Sequence, residues 1–434
     1  MKILIVSTSF SKFPGDNISP FIWKLSKNLQ DKGWDVTVLA PHYKGLPERE
    51  NWEGVEIRRF RYFLENFENF GYDAGGIIPN IKRKPLRLFK LPLYISAMHR
   101  DTLQIINEKE IDIVNFHWLF PSSLWLPNLI KQCKVKAVVT GHGTDIHLAL
   151  KWPFSFFVKK AVEYISAITL NSQYMGRILG EVARPLRTEI LPMAVDTSTY
   201  HPGAKKPSDS KKIIYVGRLM KQKGIYMLLD AFGEILKGHP DAALEFVGPG
   251  PEFEALKEKI AERKLEKSVR VSGIVEHVKL PEIYVGARVL ILPSLIGEGM
   301  GLTPIEAGAC GVPSITFGFG GTEEIIVNDQ TGMIVKPTVQ DLTSAIGLML
   351  NNGNEADRMG REALAHVRQN YSWDVISGKF DKLFREIANA GQVRPEKYRN
   401  YGNHIMSLVI FFTVVTYVLK LFSDRIGKIT EFFR

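Results

Sequence analysis

The chain is predicted to be α/β, built as two successive Rossmann-like, doubly wound halves followed by a C-terminal hydrophobic helix. Three observations carry this. Short apolar runs alternate with longer amphipathic ones, which is the βαβ signature of a parallel sheet. The rhythm is interrupted once, by a polar stretch at 196–212, and then restarts. At 434 residues the chain exceeds what one hydrophobic core usually supports.

In the first half the strands are "KILIVSTS", "DVTVLAP", "IDIVNFHW", "KAVVTGHG", "AITLNSQ" and "EILPMAV", with helical patterns at 20–32 and 97–109. The start, "MKILIVSTSF", is too short and too soon polar for a secretory signal and reads as a buried strand. In the second half the strands are "KIIYVG", "ALEFVG", "VRVSG", "RVLILP" and "PSITF". The halves are set at 1–200 and 201–372, with a last helix at about 373–390 returning to the first half and a tail at 391–434.

Composition narrows the partners. A formal net charge of +10 calls for an anion, whether nucleic acid, phospholipid or phosphorylated small molecule. Residues 82–100 carry Lys82, Arg83, Lys84, Arg87, Lys90 and Arg100 without an acid, interleaved with Leu86, Leu88, Phe89, Leu91 and Leu93. That mixture fits a membrane surface better than a duplex, and equally fits a solvated helix with one buried face. The segment 405–422, "IMSLVIFFTVVTYVLKLF", is near the lower length for crossing a bilayer. Its polar stripe allows it to span, to lie on the membrane, or to pack as a core helix. Two distant cysteines, Cys133 and Cys310, form no metal-ligand spacing and point to a reducing compartment.

Open α/β sheets bind ligands at the carboxyl ends of their strands, so the residues there are the candidates. After the first strand stand Gly15 and then Ser19-Pro20, an N-cap followed by proline at the first helical position, which makes an anion-receptive helix start or an ordinary turn. His117 and His142 follow successive strands, with Asp145 close behind. In the second half "YVGRLMKQKG" places Arg218 and Lys223 on a strand-end loop, suited to phosphate oxygens. "VGPGPEF" has Gly248 and Gly250 but Phe253 where a dinucleotide fingerprint has glycine. No GxxxxGK[ST] or HExxH is present, so kinase and zinc-protease chemistry lose their usual supports.

The stretch "GEGMGLTPIEAGACG" sets Glu298 and Glu306 among glycines. Thr303-Pro304-Ile305-Glu306 has the form of a capping box. Gly297, Gly299 and Gly301 call for unusual backbone angles or a close approach. A helix start behind such a loop can also hold an anion.

In order along the chain, "FHWLFP", "TGHGTD", "VGRLMKQKG", "VGPGP", "LPSLIGEGMGLTPIEAGACGVPSI" and "GGTEEII" closely resemble the retaining glycosyltransferases of family 4, with the GT-B fold. The resemblance covers about residues 1–390. It implies two domains facing a cleft and sugar transfer from a UDP- or GDP-sugar with retained configuration, without metal or other cofactor. It implies that Arg218 and Lys223 bind the donor diphosphate and stabilise the departing nucleotide. Glu306 would hold the ribose, Glu298 would lie beside the transferred sugar, and the amides around Gly301, Leu302 and Thr303 would face sugar or phosphate. His142 matches the cleft histidine, the backbone near Ile274 would meet the base, and Gly15 would complete the donor set. No nucleophile is named among Glu298, Asp16 and Asp145, because the leaving phosphate itself assists the acceptor hydroxyl in this family. Met300 and "EAGAC" depart from the family's usual residues near the sugar.

With the tail and the basic stretch, the expectation is an enzyme at the cytoplasmic face of a membrane, acting on a lipid-linked or glycan acceptor and not on nucleic acid. A nucleotide-sugar epimerase of GT-B architecture and a non-catalytic, membrane-tethered nucleotide-sugar-binding subunit are the alternatives.

Overall fold

Fourteen strands, numbered in chain order, are present among the residues that the computed structural model describes, 1–72, 76–203 and 210–391. The first eight are β1 (Lys2–Val6), β2 (Asp35–Pro41), β3 (Arg49–Trp52), β4 (Val55–Phe60), β5 (Ile113–His117), β6 (Lys136–Gly141), β7 (Ala167–Leu170) and β8 (Thr188–Ile190). They form one sheet in the order β3-β4-β2-β1-β5-β6-β7-β8. Strands β4, β2, β1, β5 and β6 run parallel to their neighbours in that order. Ile3, Leu4 and Ile5 on β1 are completely buried on both faces of the strand, as expected where helices cover a parallel sheet.

The other six strands, β9 (Lys212–Val216), β10 (Ala243–Val247), β11 (Val269–Gly273), β12 (Val289–Leu292), β13 (Ser314–Thr316) and β14 (Gly332–Ile334), form an all-parallel sheet in the order β11-β10-β9-β12-β13-β14. Tyr215, Phe232, Phe246 and Ile291 are among the fully buried residues of its core.

The chain divides into two compact units. Among the described residues, one is Met1–Thr169 with Ile178–Glu189 and 381–391; the other is Leu170–Arg177 with Ile190–Phe380. Within the first unit the end of helix Trp373–Asn389 is tied down at several points. Trp34 Nε1 donates to Asp381 at 2.7 Å, Arg385 donates to the Lys32 carbonyl at 2.7 Å, and Lys136 Nζ donates to the Ala388 carbonyl at 2.7 Å.

The structure differs from the sequence reading at identifiable places. β3 and β4 form an antiparallel hairpin that the reading passed over. Its turn, Glu53-Gly54, has φ of 49° and 93°, the paired positive angles that a two-residue hairpin loop requires. β14, three residues long, was also not anticipated. The strand within "EILPMAV" ends at Ile190, and its last bond to the sheet runs from the Leu191 amide to the Leu170 carbonyl at 2.8 Å, since Pro192 has no amide to donate. The helix expected at 97–109 begins earlier, at Leu91, because Pro92 stands in the first turn, where its missing N–H costs nothing. Part of the polar linker, 204–209, lies outside the described residues, as does the hydrophobic tail from 392 on. Among the described residues no helix is long and apolar enough to cross a membrane.

Candidate functional site

In the second unit β9 is the strand at which the order reverses, with β10 and β11 on one side and β12, β13 and β14 on the other. The loops after β9 and β12 leave in opposite directions from such a point, opening a crevice at the carboxyl ends. Arg218 and Lys223 are on the first loop and Glu298 is on the second. The loops touch at Gly224, whose φ is 68° and where a Cβ would lie 2.0 Å from the Pro293 carbonyl, so only glycine fits. This contact brings Lys223 Nζ against Glu298 Oε1 in an ion pair whose side chains are 19% and 15% exposed. Arg218 is exposed on the same loop, and the Tyr215 hydroxyl fixes the loop by donating to the Arg218 carbonyl at 2.9 Å. Burial, and then the charge of Glu298, pushes that hydroxyl's pKa up.

The loop carrying Glu298 lies on the loop after β13. The Gly321 amide donates to the Glu298 carbonyl at 2.7 Å and the Glu298 amide to the Phe319 carbonyl at 3.2 Å. A Cβ on Gly320 would lie 2.4 Å from the Glu298 carbonyl. Neither Gly297, Gly299 nor Gly301 is among the glycines of positive φ. At Gly297 and Gly301 the reason is close approach, since a Cβ would meet the Tyr174 hydroxyl at 2.2 Å and the Thr322 side chain at 2.6 Å.

The capping box is not formed. Helix Leu302–Ala309 has Gly301 as its N-cap, with no side-chain cap. Thr303 is therefore the second helical residue, and Glu306, the fifth, sits two residues too far along to serve a cap. The amides of Leu302 and Thr303 belong to the first turn, which has no intrahelical partner for them.

Glu306 is instead buried, 4% exposed. Its Oε2 accepts from the Tyr284 hydroxyl at 2.7 Å, and its Oε1 lies 3.5 Å from His277 Nε2. The Tyr200 hydroxyl is 2.8 Å from His277 Nδ1. The hydrogen bond to Glu306 raises the His277 pKa against the opposing effect of burial. Burial, followed by the Glu306 charge, holds the Tyr284 hydroxyl well above its ordinary value and pushes the Cys310 thiol up to about 12. The sequence reading missed Tyr200, His277 and Tyr284. Only His277 carried a usable signal, since it follows β11 as Ile274 does. Ile274 itself is 80% exposed directly after that strand.

The first unit holds the other strand-end residues. His117 Nδ1 and His142 Nε2 are 2.9 Å apart with their rings stacked. Phe21 and Trp118 each pack on His142 at 4.8 Å between ring centroids. Desolvation lowers the His142 pKa to about 3, and desolvation followed by the neighbouring His142 lowers that of His117 well below 6.5. The pair is therefore neutral near pH 7.

Asp145 is buried and occupied. It accepts from the His142 amide at 3.0 Å and the Leu119 amide at 2.8 Å, joining two strand-end loops. Asp16 closes its own turn on the Lys12 amide at 2.8 Å. Gly15, with φ of 93°, faces open space. Ser19 is the N-cap residue with Pro20 behind it, but it makes no cap. Its φ of 49° turns the hydroxyl to Ser9 Oγ at 3.2 Å, away from the helix amides.

A cavity of about 380 Å³ in this unit is lined by Arg49, Arg58, Arg59, Arg61 and Arg100 and contains none of the residues above. Four of these arginines are already paired: Arg58 with Glu56, Arg59 with Glu50, Arg61 with Glu68, and Arg100 with Asp101. It is mainly an ion-pair network. Among the described residues no three His, Cys, Asp or Glu side chains are grouped to hold a metal ion.

Two family descriptions match, Glycosyltransferase Family 4 over residues 18–199 and Glycosyl transferases group 1 over residues 196–366. The chain is 26% identical over 376 residues to a GDP-mannose-dependent alpha-(1-6)-phosphatidylinositol monomannoside mannosyltransferase of Mycolicibacterium smegmatis, covering 82% of this chain and 92% of that protein. It is also 26% identical over 414 residues to a glycogen synthase of Mycobacterium tuberculosis, covering 91% and 97%. In fold it is similar to a sucrose-phosphate synthase from Thermosynechococcus elongatus, with a TM-score of 0.69 and 20% identity, covering 89% of this chain and 99% of that one.

Proposed function

We propose, for a chain that belongs to the GT-B glycosyltransferases of the family 4 type, that it moves a sugar from a UDP- or GDP-sugar to a lipid-linked or glycan acceptor with retention at the anomeric carbon. The carrying observation is the Lys223–Glu298 pair at the reversal of the second sheet, with Arg218 exposed on the same loop as Lys223. Breaking the anomeric bond leaves negative charge on the diphosphate and positive character on the sugar. Arg218, Lys223 and the first-turn amides of Leu302 and Thr303 stabilise the former from fixed positions, so the step needs no metal. Glu298 stabilises or orients the sugar. Glu306, pinned by Tyr284 and His277, presents a carboxylate to the ribose hydroxyls, and the backbone at Ile274 meets the base. His142, kept neutral, serves the donor as a hydrogen-bonding group and not as a cation, and the turn at Gly15 leaves room for the donor.

The lipid acceptor is supported by the similarity to a phosphatidylinositol mannoside mannosyltransferase, and the glycan acceptor by the similarity to a glycogen synthase. We place the protein at the cytoplasmic face of the membrane, peripheral or anchored by 405–422, on the strength of that apolar tail and the basic stretch 82–100.

The test is incubation of the pure protein with radiolabelled UDP- and GDP-sugars and a membrane lipid extract, with and without a chelator. Labelled lipid or glycan should form, the new bond should keep the donor's anomeric configuration by NMR, and the chelator should not matter. Sugar interconversion without acceptor points to an epimerase, and binding without turnover to a non-catalytic subunit. Glu306→Ala retaining full transfer from every donor would remove the site assignment.

A further inference from the structure

The two oxygens of Glu306 are served unequally. Oε2 accepts from the Tyr284 hydroxyl at 2.7 Å, and Tyr284 is completely buried. Oε1 faces His277 Nε2, and 42% of the His277 side chain is exposed. Both partners come from one short stretch, the turn His277–Lys279 and the helix Leu280–Val285 behind it, which packs on the helix that carries Glu306. One oxygen is closed from inside the unit, and the other opens toward a side chain in contact with solvent.

The contact between His277 and Glu306 is incomplete. At 3.5 Å it is longer than the roughly 2.7–3.2 Å of a good N–H···O bond. A carboxylate can only accept, so Nε2 carries the proton. The Tyr200 hydroxyl lies 2.8 Å from Nδ1 and 3.3 Å from Nε2, which sets it over the ring face and off the Nε2–H axis. The Nε2–H is therefore held weakly and can be taken by a nearer acceptor.

An N–H and a carboxylate oxygen 3.5 Å apart match the needs of one hydroxyl group, which both accepts and donates. Its oxygen can stand about 2.8 Å from each at once. A carboxylate alone would satisfy only the hydroxyl's proton.

We infer that His277 is a second ribose-binding residue: its Nε2–H donates to a ribose hydroxyl whose own proton goes to Glu306 Oε1, so that the two side chains select ribonucleotides over deoxyribonucleotides. The inference deepens the reading of Glu306 as the ribose carboxylate and rests on it. The surroundings suit a nucleoside. Ile274 and Val278, on the same strand-end segment as His277, are 80% and 73% exposed, apolar side chains that a flat base can cover.

The test measures binding of nucleoside diphosphates to the full chain by calorimetry, without turnover. Whichever of UDP and GDP binds is compared with its 2′-deoxy and 3′-deoxy analogues. One of these analogues should bind about tenfold more weakly than the ribonucleotide, because the missing hydroxyl leaves Glu306 and the Nε2–H without their shared partner. His277→Ala should weaken the ribonucleotide by about tenfold and leave that analogue's affinity as it was, which also shows that the site is still folded. His277→Gln, whose side-chain amide brings an N–H to about the same place, should restore most of the discrimination.

Equal weakening of ribonucleotide and analogue by His277→Ala overturns the inference, because His277 then only supports the fold. No weakening of either overturns it too, because Glu306 then acts alone; loss of discrimination in Glu306→Gln would leave the ribose reading standing in both cases. A wild-type chain that binds the ribonucleotide and both analogues equally sinks the ribose reading and the inference with it. A chain that binds neither UDP nor GDP removes the nucleotide site altogether.

Discussion

Replacing Lys223 by Met and Glu298 by Gln, singly and together, tests the pair at the sheet reversal. Each single change leaves its partner charged and mostly shielded from water, with no opposite charge beside it. Unit charges about 4 Å apart attract by about 4 kcal/mol at an effective dielectric of about 20. Desolvating the two groups offsets much of that. The coupling left for a double-mutant cycle is about 1–3 kcal/mol, read by urea unfolding of the four proteins.

Activity should separate the roles. Lys223→Met removes a fixed positive group from the developing diphosphate charge and should lower kcat by about 10²–10³-fold, as loss of one preorganised donor does elsewhere. The double variant should be far less impaired than the product of the singles, since the two groups act as a unit. Stability effects that add within about 0.5 kcal/mol would show that the pair is not coupled in solution. Wild-type turnover by Lys223→Met would refute the assignment of charge stabilisation to that loop.

Three further outcomes follow from the same geometry. Tyr284→Phe deletes a hydrogen bond to a buried carboxylate, so the protein should lose about 1.5–3 kcal/mol in urea unfolding. If Glu306 holds the ribose, the donor KM should rise with a smaller change in kcat, and an unchanged KM would place Glu306 away from the donor. His117 and His142 have pKa values depressed in the fold, whereas in the unfolded chain they take up protons near 6.5. Their contribution is thus complete above pH 6.5 and lost as pH falls from there towards about 3, with a slope of up to about 1.4 kcal/mol per pH unit for each. Chemical denaturation at pH 7.5, 6 and 5 measures it, and a ring NMR titration near 6.5 in the folded protein would contradict it. Asp145→Asn turns an amide NH₂ toward one of two backbone donors, so it should cost about 2–4 kcal/mol, seen as a lower melting temperature. Unaltered melting would mean that Asp145 does not tie the two loops.

The sequence by itself determined the parts that repeat along the chain or sit at a fixed offset from a strand. Short uninterrupted apolar runs such as "KILIV" and "KIIYV", recurring between longer amphipathic stretches, read as strands buried on both faces, which show no alternation. The loop positions of Arg218 and Lys223 were legible for the same reason, directly after "KIIYV", whereas Glu298 was singled out by its glycine-rich stretch and Ile274 only by the family resemblance. Short pairings were not legible from apolar runs. β3 and β4 are polar enough to pass for loop, and only the Glu53-Gly54 turn announces them.

Tertiary structure alone decided what each candidate side chain touches, because hydrogen bonds between residues far apart in sequence leave no local pattern. Glu306 reads as a helix cap four residues into a familiar motif. It is instead held by Tyr284 and His277, 22 and 29 residues earlier in the chain. Asp145, three residues from His142, reads as an accessory to chemistry and is consumed by two backbone amides. Gly297 and Gly301 read as angular freedom or close approach, and only the fold decides for the second, because another part of the unit lies too near each for a Cβ. Phe63, Leu64 and Phe67 face outward beside a buried Glu68 carboxylate bonded to the turn's own amides, an arrangement that no local run of residues announces.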